Sequence, residues 1–202
     1  MITIIGSAHV FDISDRVKEE IKKRNPAVVA VELDKGRYLA LKSGDTDTRN
    51  LPFTYRAMAF LQKRIAEKFG VMVGGEMIAA IDAAKEIGSN VAFIDLPSNK
   101  VFQKLMNNMT IKEKIYLFMG MIVGIFSSKK RIEKEVEKYT ESQEQEVHNI
   151  GYMGTMAEQF PTIKNILIDE RNTYMAKNLL KIEERFGSVV AVVGDGHVPG
   201  LV

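Results

Sequence analysis

Four short apolar runs, each rich in β-branched residues and each stopped by a glycine or an acid, constrain this chain more than any other feature. They are ITII at 2–5, AVVAV at 27–31, VAFI at 91–94 and VVAVV at 189–193. A strand with one wet face alternates apolar and polar residues. These runs do not alternate, so each is expected to be buried on both faces, as in a parallel sheet covered by helices. Between the first two, Ser14 to Arg24 carries Val17 and Ile21 four residues apart, with Ser14 placed as a cap and Asn25-Pro26 as a stop, which makes a βαβ unit.

The remaining segments read mostly as helix. Lys35 to Lys42, Pro52 to Phe69 and Glu76 to Ile87 have helical spacing, and Gly88 suits a helix end. The polar stretch Ser43 to Asn50 reads as a loop. Residues 95–188 carry no strand signal and are expected to be mainly helical. Within them, 129–147 is charged nearly all round and reads as a solvated or bridging helix ending at a solvent-facing His148. Thr162 is placed to cap a long helix that runs to Phe186 and stops at Gly187. The expected class is α/β, a small mostly parallel sheet with a long helical insertion. One domain is expected, with an α/β core at 1–97 and 187–202 and the insertion at about 98–186. Only nine residues follow the last run, so cover for that strand is expected from a continuation of the chain or from a partner.

Composition narrows the function classes. With 28 Lys+Arg against 26 Asp+Glu and no basic, aromatic-interleaved stripe, the chain lacks the charge a nucleic-acid binder uses on phosphates. The absence of cysteine excludes disulfides, thiolate zinc sites and a cysteine nucleophile. The start, Met1-Ile2-Thr3-Ile4-Ile5-Gly6, has no basic leader, which fits a soluble domain on the cytoplasmic side. The longest apolar stretch, Ile115 to Phe126, has 12 residues, short of the ~20 that cross a bilayer as a helix. With Ile132, Val136 and Tyr139 it forms a stripe whose burial between two copies makes a homodimer the expected state.

Each strand run is followed by a residue able to do chemistry: His9, Glu32, Asp95 and His197. That is the side of an open α/β sheet where ligands bind. Two of the three histidines stand in the same phrase, Gly6-Ser7-Ala8-His9 and Gly194-Asp195-Gly196-His197, where glycine is expected to turn the chain sharply off the strand. Two imidazoles and a carboxylate suit Mn, Fe, Co or Zn with open positions, and such an ion activates water and polarises a carbonyl. Arg171, amid Ile166, Tyr174 and Leu179, is suited to cover a carboxylate or bind an oxyanion, with a plain surface position as the alternative. Glu76 sits where a helix dipole favours an acid. Position 199 is Pro and no helix follows, which excludes a dinucleotide fingerprint at Gly194. Gly6-Ser7-Ala8-His9 lacks the elbow of a serine hydrolase. Glu32→Gln is expected to lower hydrolysis by about a hundredfold or more with little change in melting temperature.

Gly6-Ser7-Ala8-His9, Val31-Glu32-Leu33-Asp34 with Arg37-Tyr38, Gly75-Glu76-Met77, Glu170-Arg171-Asn172 and Gly194-Asp195-Gly196-His197 occur in the order in which they occur in the TraB/PrgY family, which the chain resembles throughout its length. The resemblance implies kinship with the Tiki proteases and a looser similarity to erythromycin esterase and ChaN-like proteins, hence an α/β core with helical insertions. It implies a metal-dependent peptidase with His9, Glu32 and His197 as ligands of Mn, Co or Zn and Arg171 beside them. Arg37, Tyr38, Glu76, Asp95 and Asn172 are assigned to binding a peptide or small-molecule substrate. The pheromone-shutdown branch implies instead a protein that binds or inactivates a small peptide at a membrane. Similar prokaryotic members continue into a membrane-embedded carboxyl-terminal region. One departure stands out: Leu96-Pro97 follows Asp95 where related sequences often have an arginine.

Overall fold

The structure, a computed structural model, describes residues 1–7, 13–43, 74–116, 119 and 160–202. Strands β1 (Ile2–Ser7), β2 (Val28–Val31), β3 (Asn90–Phe93) and β4 (Val189–Gly194) fall on the four apolar runs and form one parallel sheet in the order β1-β4-β2-β3. Around it lie α1 (Ser14–Arg24), α2 (Lys35–Ser43), α3 (Gly75–Glu86), α4 (Ser98–Asn108), α5 (Pro161–Lys164) and α6 (Glu170–Phe186). A π-helical turn, Asn165–Asp169, joins α5 to α6 without a break, and a 3-10 turn, Asp195–Gly200, follows β4. The class is α/β. The described residues between β3 and β4 are mainly helical, including 111–116.

Alternation along the strands sorts side chains to two buried faces. Val29, Val31, Val190 and Val192 pack with Val17 and Ile21 of α1 and Met77, Ala80, Ile81 and Ala84 of α3. Ala30, Val189, Ala191 and Val193 pack with Met175 and Leu179 of α6. Every residue of β4 is therefore buried, which corrects the expectation that its cover comes from beyond the chain or from a partner. The sheet order makes the last strand an inner one, and helices that precede it in sequence lie on both of its faces. Removing one such large side chain costs about 2–5 kcal/mol.

Two capping expectations fail locally. Ser14 is the first helical residue of α1, and Ile13 stands at the cap position with no side-chain bond. Thr162 lies inside α5, which starts at Pro161 after Phe160, because proline is preset for the first helical turn. The Thr162 N–H goes instead to the Glu113 carboxylate at 3.1 Å. The same carboxylate accepts from Thr110 N at 2.8 Å and Thr110 Oγ1 at 3.0 Å. Glu113 thus caps the helical stretch at 111–116 and ties it to the start of α5. Asp34 does similar work nearer the sheet. Its Oδ1 accepts from Gly36 N at 2.8 Å and Arg37 N at 3.1 Å, and its Oδ2 from Ser98 N at 3.1 Å, so one carboxylate holds the starts of α2 and α4.

His9, His148, the helix at 52–69, the charged segment 129–147, most of the loop at 43–50 and most of the apolar stretch 115–126 lie outside the described residues. Of that stretch, Ile115, Tyr116 and Met119 are exposed. Among the described residues, no helix is long and apolar enough to cross a membrane.

Candidate functional site

The strand register brings the carboxyl ends of all four strands to one edge: Ser7 pairs with Gly194, and Val31 with both Val192 and Phe93. The residue after β2 is Glu32, and two residues after β3 comes Asp95; both are buried. Two acids at one edge would repel each other, and Arg171 from the first turn of α6 lies between them. Its Nε donates to Asp95 Oδ1 at 2.9 Å, its Nη2 to Asp95 Oδ2 at 2.8 Å and also to Glu32 Oε1, and its Nη1 to the Leu167 carbonyl at 3.1 Å. Arg37 adds a second cation, Nη1 standing 3.3 Å from Asp95 Oδ2. Burial would lower the Arg171 pKa, but hydrogen bonds and charge from Asp95 and Glu32 raise it. Asp95 thus has its clamp from α6 and α2, although Leu96 follows it in sequence.

His197 completes the group from the 3-10 turn after β4. Its Nε2 lies 3.3 Å from Glu32 Oε1, and its Nδ1 lies 2.7 Å from Asn172 Oδ1. An Nδ1–H donating to the Asn172 carbonyl directs Nε2 to the carboxylate, the arrangement by which outer partners orient metal-bound or proton-transferring imidazoles. Glu32 Oε2 accepts from Gly194 N at 2.6 Å. Burial pushes the Glu32 carboxyl up, yet the hydrogen bond and charge of His197, the charge of Arg171 and the Gly194 N–H together hold its pKa at about 2. Glu32 is therefore an ionised, buried carboxylate at neutral pH.

Glycine serves this edge differently from the expected sharp turn. Gly6 is still within β1, and Gly194 ends β4 in extended backbone, φ −62° and ψ 144°. Space is what the position of Gly6 requires, since a Cβ there would stand 2.2 Å from Asp195 Oδ1.

Glu32, Asp95, Arg37, Arg171, Asn172 and His197 thus form one connected group. Asn172, assigned to substrate, is a partner of His197. Tyr38 is half-buried and stacks on Phe93 with ring centroids 5.1 Å apart, beside the core. Glu76 is buried in the first turn of α3, where Ser7 Oγ donates to its Oε1 at 3.5 Å. Sequence reasoning did not find the Gly194 N–H or the Leu167 carbonyl, because backbone groups have no residue signature. The described residues contain no group of three or more metal-capable side chains. They do place two ligand-type atoms, His197 Nε2 and Glu32 Oε1, at one point.

In comparison with known sequences, the profile of the TraB/PrgY/gumN family matches residues 1–201. The chain belongs to the TraB/PrgY/gumN family. It is 33% identical over 214 residues to the uncharacterized protein MJ1365 of Methanocaldococcus jannaschii, covering 100% of this chain and 52% of that protein. It is 24% identical over 237 residues to the TraB domain-containing proteins of Bos taurus and Homo sapiens, covering 99% of this chain and 61% of each. The TraB-family chain thus spans between about half and three-fifths of the length of these relatives.

Proposed function

We propose that this TraB-family chain is a metal-dependent hydrolase acting on peptides. The observation that carries the reading is the contact between His197 Nε2 and an ionised, buried Glu32 at the open edge of the sheet. Asn172 engages the imidazole by its other nitrogen, so Nε2 is held facing the Glu32 carboxylate. Glu32 supplies negative charge there. Among the described residues Glu32, Asp95 and Leu167 occupy four of the five N–H groups of Arg171, which works mainly as a positioning residue and has one Nη1–H that none of them takes, for an oxyanion. His9, Glu32 and His197 would hold a divalent ion such as Mn, Co or Zn. Such an ion supplies Lewis acidity and an activated water. The domain is proposed to lie on the cytoplasmic side, as a homodimer, with the full-length protein anchored in a membrane.

The test is metal analysis of the purified protein with peptide-cleavage assays in Mn, Co and Zn. Cleavage that chelator removes and metal restores supports the reading; wild-type cleavage by Glu32→Gln refutes the catalytic assignment. A second reading, a non-catalytic peptide-binding protein at a membrane, is favoured by one feature. Both oxygens of Glu32 already accept hydrogen bonds within the chain, as they would in a purely structural anchor.

A further inference from the structure

Beside the ion cluster, α4 and the start of α6 enclose a groove of about 340 Å³. Its lining is mainly apolar, with Leu96, Val101, Ile166 and Tyr174. Three lysines, Lys100, Lys104 and Lys177, line it as well. Lys104 is committed to Glu170, Nζ to carboxylate at 2.7 Å, whereas Lys100 and Lys177 form no ion pair with any described residue. The groove shares a wall with the candidate site: Leu96 follows Asp95, and Glu170 precedes Arg171, a step of about 3.8 Å along the backbone in each case. Its volume is that of a small-molecule or single-side-chain pocket.

We infer that this groove receives an apolar residue of a bound peptide and that Lys100 and Lys177 hold acidic residues on either side of it. The chemistry of the lining selects this occupant. An apolar lining alone takes any hydrophobic side chain, and two ammonium groups with no ion pair among the described residues favour one flanked by carboxylates while disfavouring basic sequences. The inference rests on the reading of the chain as a protein that handles peptides, and it adds acidic-apolar sequence as the substrate class. Leu96 has a part here. An arginine following Asp95 would place a further cation where Leu96 now offers a hydrophobic contact.

The test uses two fluorescein-labelled octapeptides, one alternating Leu with Glu and one with Gln for each Glu, titrated with the protein and followed by anisotropy. Two exposed charge pairs that together contribute about 1.4 kcal/mol give about a tenfold preference for the Glu peptide at low salt. The Lys100→Ala/Lys177→Ala variant should bring that ratio to about one. Lys100→Glu/Lys177→Glu should bind a Leu/Lys octapeptide in preference. Both lysines are exposed, so melting temperatures near wild type are expected and are checked. Equal affinity for the Glu and Gln peptides, or a preference that survives the alanine variant, overturns the inference. So does a lysine dependence seen only with phosphatidylserine vesicles, which assigns the charges to a lipid surface. Mass spectrometry of the recovered peptide reports separately on hydrolysis: intact peptide with preserved charge selectivity counts against the peptidase and leaves the groove assignment standing.

Discussion

Glu32→Gln should weaken folding more at pH 7 than at pH 3, and the dependence follows from the site. The Glu32 carboxyl titrates at about 2 in the folded protein against 4.5 without it. The difference, at 1.36 kcal/mol per pH unit, is worth about 3 kcal/mol to the folded state at pH 7. Because the folded value is depressed, that stabilisation is complete above the unfolded value and fades as pH falls toward the folded one. Linkage leaves about 1.4 kcal/mol of it at pH 3 and a few tenths at pH 2. Glutamine keeps the shape of a protonated Glu32 and can still accept from the Gly194 N–H, but it offers no charge to Arg171 and His197. Urea unfolding of both proteins at pH 7 and pH 3 should therefore give a gap near 3 kcal/mol that falls by roughly half. At neutral pH the melting point should drop by about 6–12 °C. This replaces the expectation of a nearly neutral substitution, which holds for an acid clustered without compensation; Arg171 and Gly194 provide the compensation. A gap that is absent, or equal at both pH values, would refute the reasoning, since loss of packing alone carries no such pH signature.

Arg171→Lys keeps the charge but cannot make the paired bonds to Asp95 while reaching Glu32, so urea unfolding should show a loss of about 2–4 kcal/mol; a change under 0.5 would show that charge alone suffices. Gly200→Ala places a Cβ 2.1 Å from Asn172 Nδ2, so Asn172 must shift, and ¹⁵N spectra of the His197 ring should change while β-sheet circular dichroism does not. An unchanged His197 ring would remove Asn172 as its positioning partner. Asp34→Ala strips acceptors from the starts of two helices and should cost about 2 kcal/mol in thermal melts, at about 1 kcal/mol for each cap.

The sheet was legible because β2 and β4 are buried on both faces, and a strand so placed has little choice but continuous Val and Ala. Arg171 and Glu32 stand 139 residues apart, and nothing in spacing joins them. Their link depends on α6 crossing the carboxyl edge, a matter of packing rather than of local pattern. Asp95 was visible as a strand-end acid and Arg171 as suited to cover a carboxylate, but their pairing, and that of Arg37 with the same acid, were not. Caps were read less well at Ser14 and Thr162, since capping depends on the backbone angle at one residue, which flanking Ile13 and Pro161 decide. Thr110-Ile111-Lys112-Glu113 spells a capping box, yet the helical signal around it hides the boundary it marks.

The π turn at Asn165–Asp169 is, in register, one residue more than a regular helix needs, and it sits between two halves with different jobs. Ile163 before the turn and Ile166 near its start anchor to Leu105 and Met109, while Arg171 and Asn172 after it meet Asp95, Glu32 and His197. A helix advances 100° per residue. Deleting a single residue there would let the anchor keep its seat and swing Arg171 and Asn172 through more than a quarter of a circle. The site is thus clocked by an indel: a gap of one in an alignment of relatives at this point would separate chains with the guanidinium clamp from chains without it, even where every clamp residue is retained.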